Sequence, residues 1–254
     1  MAIKLLLFDV DSTLVHSHGA GRLALARALH AVYGASGTIE VIPLAGSTDW
    51  RAVREALTPT GLSETDIAAL WPEFCRRAPL YLELTIAERG LDPCPGALDL
   101  LAALQPAVTR HQALLGLVTG NLESTAPVKL RGAGINPAQF RVGGYGSDSG
   151  DRNLLPRLAV QRAAALTGHT FVGKEVVVIG DTPADIACGQ AVGAATVAVA
   201  TGPYGVDVLR AAGADWVFED LRDTAALLAA LLPDGQEAVS LAATARALAE
   251  GTFA

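Results

Sequence analysis

The sequence predicts an α/β fold: a mostly parallel sheet with helices on both faces, interrupted by an inserted all-helical domain. Three observations carry that expectation. Short, almost wholly apolar runs such as Ile3–Phe8, Ala113–Thr119 and Val176–Gly180 suit strands buried on both faces of a parallel sheet. From about residue 97 such runs alternate with stretches of helical periodicity, as βαβ units require. Residues 16–89 carry no strand pattern.

In chain order, the first strand ends abruptly in Asp9-Val10-Asp11-Ser12-Thr13. Side chains at i and i+2 of an extended chain leave on the same side, so Asp9 and Asp11 can converge on one site. His16-Ser17-His18-Gly19 is a polar connection, read as a hinge at a domain entrance. A helix follows to about Tyr33, with Leu25, Leu29 and Val32 on one face and Gly34 as its stop. Residues 35–47 read as loop. Thr48 or Asp49 then caps a helix carrying Trp50, Val53 and Leu57. Ser63 and Asp66 resemble a capping box, opening a helix with Ile67, Leu70, Trp71 and Phe74 on one stripe. Pro72 and Pro79 are expected to interrupt that region. After the turn at Pro93-Cys94-Pro95-Gly96, a helix covers about 97–104. Strands at 113–119, 140–143, 175–180, 195–200 and 216–218 then alternate with helices to about 232. The expected division is 1–15 with 90–232 for the sheet domain, 16–89 for the helical insert, and 233–254 for a C-terminal helical extension.

At 254 residues and 51% hydrophobic, the chain can bury a sizeable core in one large or two small domains. A net charge of −7 argues against a nucleic-acid or membrane-surface binder, which needs a basic footprint. Cys75, Cys94 and Cys188 are widely spaced, without C-x-x-C. They offer no zinc site and suit a reducing compartment. No run approaches 18 apolar residues and no signal-peptide pattern opens the chain, so a cytoplasmic location is expected.

Three strand ends carry chemistry. Asp9 and Asp11 lie at the carboxyl end of the first, where ligands bind in open α/β sheets. Leu117-Val118-Thr119-Gly120-Asn121 ends another in a hydroxyl, a glycine and an amide, which can form an anion pocket or a plain turn. Val176–Gly180 ends in Asp181, with Asp185 about one turn into the next helix, where an acid also complements the helix dipole. Asp9, Asp11 and Asp181 would repel one another unless a cation lay among them. A hard cation such as Mg²⁺, which takes carboxylates, phosphate oxygens and waters, fits that donor set. Arg152, just before the helix that leads into the 175–180 strand, could bridge a phosphate and a nucleophile, or be a surface loop residue.

In this order, Phe8-Asp9-Val10-Asp11-Ser12-Thr13-Leu14, Val118-Thr119-Gly120-Asn121 and Gly180-Asp181-Thr182-Pro183-Ala184-Asp185 resemble the first, second and fourth motifs of the haloacid dehalogenase (HAD) superfamily. The insert resembles the small helical cap of its phosphoglycolate-phosphatase-like members, and Gly46-Ser47-Thr48-Asp49 resembles the cap's specificity loop. The resemblance covers residues 1 to about 232 and implies a Rossmann-like core. It implies Asp9 as nucleophile, Asp11 as general acid and base, and Mg²⁺ held by Asp9, the Asp11 carbonyl and Asp181, with Asp185 in support. It also implies phosphate binding by Thr119 with Gly120 and Asn121. The implied reaction is hydrolysis of a small phosphorylated metabolite through an aspartyl-phosphate intermediate; a haloacid dehalogenase or a sugar-phosphate mutase on the same fold is the alternative.

The sequence departs from the family pattern where the third motif's lysine would stand. Arg152 occupies that region, and Lys129 is the other candidate. Arg152 is favoured because Lys129, 8–10 residues beyond Thr119 in the following helix, would have its backbone over ~10 Å from the sheet edge. Ser12 stands where glycine is common. Thr48 and Asp49 are candidate substrate contacts, with helix capping as the competing reading.

Overall fold

The computed structural model describes residues 3–232. The expected C-terminal helix over 233–254 lies outside the described residues. Six parallel strands form one sheet in the order β5-β4-β1-β6-β7-β8: β1 (Lys4–Phe8), β4 (Ala113–Thr119), β5 (Val142–Tyr145), β6 (Val176–Gly180), β7 (Ala195–Val199) and β8 (Trp216–Phe218). β1, β4, β6 and β7 lie in the interior of the sheet, and β4, β6 and β7 are buried along their whole length. That double burial is why their sequences are nearly continuous Leu, Val and Ile rather than alternating. One hydrophobic cluster, with Leu6, Phe8, Leu115 and Ile179, packs beneath α4 (Ala97–Thr109) and α9 (Thr224–Leu231). A second, with Leu5, Leu7, Val118 and Val178, packs beneath α6 (Leu155–Thr167). Odd and even residues of β1 thus face opposite helical layers.

The chain adds β4 and β5 on one side of β1 and then crosses to add β6, β7 and β8 on the other. Strand order therefore reverses around β1. The crevice at the carboxyl ends of β1, β4 and β6 is where such sheets bind ligands.

Residues between β1 and β4 form the helical insert: α1 (Ala20–Tyr33), α2 (Asp49–Leu57) and α3 (Glu64–Arg89). Ala28, Leu29, Val53, Leu57, Ile67 and Phe74 make its own core, and Trp71 stacks on Phe74 at 5.3 Å. Thr48 is the α2 cap, accepting the Arg51 N–H at 3.3 Å. Ser63 and Asp66 close the expected capping box. The expectation that Pro72 and Pro79 break the third helix is corrected: α3 runs unbroken for 26 residues through both. Each proline removes one backbone bond, but Ile67, Phe74, Ala78 and Leu82 are buried along a single stripe. Tertiary packing of that stripe outweighs the local cost.

A short strand pair is a feature the sequence did not signal. β2 (Val15–His16) pairs antiparallel with β3 (Asp92–Pro93) where the chain enters and leaves the insert. His18 Nε2 lies 2.8 Å from Asp92 Oδ2 beside it.

Candidate active site

Residues of the sheet domain and of the insert line one cavity of about 280 Å³ between the sheet's carboxyl edge and the insert. Asp9 follows β1 directly, its N–H donating to the Ile179 carbonyl at 2.8 Å, so it continues the strand's register. Asp181 follows β6, and Asp185 lies in the first turn of α7 (Pro183–Gln190), where it closes a capping box with Thr182. The Asp9, Asp181 and Asp185 carboxylates are all buried and each offers an oxygen within 4.8 Å of the others. Burial raises the pKa of Asp9, with Arg152 opposing it and Asp185 and Asp11 adding to it. Burial raises Asp181 as well, followed by the charges of Asp9 and Asp185. Carboxylates under this strain are relieved by a hard cation, and the all-oxygen donor set fits Mg²⁺.

Arg152, in the short 3₁₀ turn Arg152–Leu154, reaches this cluster. Its Nη2 lies 3.1 Å from Asp9 Oδ1 and 2.5 Å from Asp185 Oδ1. Burial alone would lower the guanidinium pKa, but the two carboxylates outweigh it and hold it above the ordinary value. Its Nε is a sealed polar atom with no partner among the described residues.

Asp11 is placed differently. Its side chain is 41% exposed, and Lys129 Nζ donates to both its oxygens, at 2.7 and 2.6 Å. Asn121 Nδ2 donates to Asp11 Oδ2 at 2.7 Å, and Asn121 Oδ1 accepts from Lys129 at 2.6 Å. The argument that Lys129 lies too far from the site is therefore corrected. Residues 120–125 are not helical; α5 (Ala126–Gly132) starts only at Ala126, so Lys129 sits in its first turn. The assumed 1.5 Å climb per residue from Thr119 does not occur. Both basic candidates reach the site, Arg152 at Asp9 and Lys129 at Asp11.

Thr119 ends β4 fully buried. Its Oγ1 accepts from Asn121 Nδ2 at 2.8 Å and from the Asn121 N–H at 3.3 Å. With its oxygen engaged twice, its O–H is left as a donor with no acceptor among the described residues. Gly120 serves the insert: a Cβ there would stand 1.9 Å from the Ser47 carbonyl oxygen. Its own carbonyl accepts the Asp49 N–H at 2.7 Å.

Thr48 and Asp49 both line the cavity and both hold the insert to the core. Thr48 Oγ1 donates to the Gly150 carbonyl at 3.1 Å, and an Asp49 carboxylate oxygen accepts the Leu122 N–H at 2.9 Å. Burial pushes the Asp49 carboxyl up to about 6, against the pull of Lys129 and the Leu122 N–H.

Three residues escaped the sequence reading. Thr13 Oγ1 donates to Asp181 Oδ1 at 3.3 Å. Thr201 donates its hydroxyl to the Ser12 carbonyl. Gly202 lies so close to Asp181 that a Cβ would stand 1.7 Å from its Oδ2. Thr201-Gly202 follows β7 much as Thr119-Gly120 ends β4, and that strand-Thr-Gly repeat was the available signal.

The fold has counterparts among known proteins. The HAD-hydrolase-like family model matches residues 156–224. A haloacid dehalogenase-like family protein from Streptococcus pneumoniae is 19% identical, with TM-score 0.59 over 89% of this chain and 98% of its own. The chain has the HAD-like fold. Other matches include a hydrolase from Pseudomonas syringae at 22% identity and TM-score 0.60, covering 91% of this chain and all of that one. A predicted phosphoglycolate phosphatase from Haemophilus somnus is 19% identical, with TM-score 0.58 over 89% of this chain and 98% of that one. No curated protein matches the sequence. No helix among the described residues of the HAD-like chain is long and apolar enough to cross a membrane.

Proposed function

We propose that the chain is a Mg²⁺-dependent phosphatase that hydrolyses a small phosphorylated metabolite through a phosphoryl group carried on Asp9. The observation that carries this reading is the pairing of a buried carboxylate nucleophile with an anion pocket. Asp9 faces the same cavity as the unsatisfied Thr119 O–H and the Arg152 guanidinium. A phosphoryl group placed there meets donors fixed in advance, which stabilise charge without reorganisation.

In the first step an Asp9 oxygen bonds to phosphorus as the bond to the leaving oxygen breaks, and Asp11 gives that oxygen a proton. In the second, Asp11 takes a proton from water as the water oxygen attacks phosphorus and Asp9 is released. Lys129 and Asn121 hold the Asp11 carboxylate in place for both roles. Asp9, Asp181 and Asp185 would hold Mg²⁺, with the Asp11 backbone carbonyl as a further ligand; the ion, when bound, offsets charge on the transferring group. The insert serves as a cap over residues 16–89, excluding water and contacting the leaving group through Thr48 and Asp49. The three-acid cluster speaks against the dehalogenase alternative, whose chemistry needs neither a metal nor an acid at Asp11.

The test is para-nitrophenyl phosphate hydrolysis with Mg²⁺ or EDTA, on the wild type and Asp9→Asn. Turnover that requires both the ion and Asp9 upholds the reading; halide release from a haloacid in EDTA would replace it with the dehalogenase.

A further inference from the structure

We infer that Arg152 is a positioning residue for the insert as well as a partner of Asp9: its forked guanidinium ties the Ser47 carbonyl to Asp9 and Asp185 and so holds the insert seated over the cavity. The tie rests on geometry alone, and its consequence for substrate capture rests on the phosphatase reading above.

Two nitrogens of one planar group face two domains. Arg152 Nη2 lies 3.1 Å from Asp9 Oδ1 and 2.5 Å from Asp185 Oδ1, both in the sheet domain. Arg152 Nη1 donates to the carbonyl of Ser47, in the insert, at 3.3 Å. The guanidinium is rigid and its side chain is 9% exposed, so holding one nitrogen fixes the position of the other. A lysine here would bring the same charge on a single nitrogen and could not span the two sets of partners in this way.

Ser47 reaches Arg152 because the core is cut away beneath it. A Cβ on Gly120 would stand 1.9 Å from the Ser47 carbonyl oxygen and 3.1 Å from Arg152 Nη1. Glycines admit the next residues of the insert too: a Cβ on Gly146 would stand 3.0 Å from the Asp49 nitrogen, and one on Gly150 would stand 2.7 Å from Trp50 Cδ1. On this floor Thr48 and Asp49 bond to the backbone of the loops at 120–122 and 150. Those bonds join the insert to loop backbone; Arg152 joins it to the acids that receive the phosphoryl group. An insert that is seated only part of the time lowers the apparent affinity for substrate by that fraction, so loss of the tie is read in KM.

The experiment is hydrogen exchange, read residue by residue by NMR, on the full chain as wild type and as Arg152→Lys. Lys keeps the charge beside Asp9 and Asp185 and gives up the branch to Ser47. The Asp49 and Leu122 amides have bonds that cross between insert and core. They should exchange about tenfold faster in the variant, while Val178 and the other β6 amides keep their rates. On para-nitrophenyl phosphate the variant's KM should rise about tenfold, with kcat changed by less than about threefold. Unchanged exchange at Asp49 and Leu122 overturns the tie, and faster exchange with an unchanged KM overturns its part in substrate capture. If β6 also exchanges faster, the variant has lost stability throughout and the wild type decides. Arg152 Nη1 protons protected to within about tenfold of the Asp49 amide then uphold the tie, because both are released only when the insert lifts; Nη1 protons protected far less overturn it. A wild type that turns over no phosphate ester sinks the phosphatase reading, and the exchange rates then decide the tie by themselves.

Discussion

Asp9 and Asp11 are separated by a single residue and open into the same cavity, yet their surroundings differ. Asp9 is 6% exposed and continues β1, so its neighbours are those of the adjacent strand β6: Asp181, Asp185 and the Arg152 that faces them. Asp11 has left the sheet. The turn after Val10, whose carbonyl accepts the Leu14 and Val15 N–H groups, aims it toward the other flank, where β4's trailing loop and α5 supply Asn121 and Lys129. One carboxylate is therefore pressed among like charges, which under the proposed mechanism suits it to receive a cation and a phosphoryl group. The other is clamped by an amide and an ammonium at a partly open position, which suits proton exchange with a leaving group or water. The difference comes from which neighbouring strand each residue meets.

The sharpest way to break this comparison is to remove each acid in turn. Asp9→Asn should lower Mg²⁺-dependent phosphatase kcat by more than ~10⁴-fold, as loss of a covalent nucleophile does. Asp11→Asn should cost less, about 10²–10⁴-fold, the range of a lost general acid and base. Steady-state kinetics of the pair would sink the proposed roles if Asp11→Asn were the more damaging. Lys129→Met probes the clamp alone and should reduce kcat/KM by about 10–100-fold. It should also lower the melting temperature, because it leaves Asn121 Oδ1 and one flank of Asp11 without a donor.

Asp49 tests whether burial of charge acts on the cap side as well. Its carboxyl is raised from 3.8 to about 6 by burial, so the folded state binds that proton more tightly than the unfolded chain. The ionised group then costs stability above about pH 6, and the cost fades as pH falls toward 4. Asp49→Asn should accordingly stabilise the protein by about 1–2 kcal/mol at pH 8 and by almost nothing near pH 4. Urea unfolding at the two pH values checks this; an equal gain at both would assign the effect to something other than charge burial. The smallest effect is expected at Ser12, whose φ of 58° lies in the left-handed region that favours glycine. Ser12→Gly should stabilise by roughly 0.5 kcal/mol, the relief of strain being partly offset by extra freedom in the unfolded chain.

Strand interiors and the three polar strand ends were legible because a doubly buried parallel strand has to be apolar until it stops, and its stopping residues lie at one edge of the sheet. Asp9, Asp181, Asp185, Thr119 and Arg152 follow from that rule and from the motif resemblance. Lys129 did not, because a helix start six residues later than assumed moves an amine by a whole turn, and no capping side chain marks Thr125 as the start. The unbroken α3 was hidden because the prolines' local cost is visible in sequence while the packing that overrides it is not.

The insertion of the helical segment after β1 also sets the order of assembly. Lys4 pairs with Ala113 on one side, and Leu5 pairs with Val176 on the other. At ~5–20 residues per second of synthesis, the central strand leaves the ribosome roughly 5–20 s before its first partner exists. During that interval Leu5-Leu6-Leu7-Phe8 has two unpaired edges, whereas the insert's three helices can already make their mutual contacts. Nascent-chain truncations near residue 110 should be the most chaperone-dependent. Productive folding of the sheet then begins with β4, and the segment that helps enclose the cavity is in place before the floor beneath it.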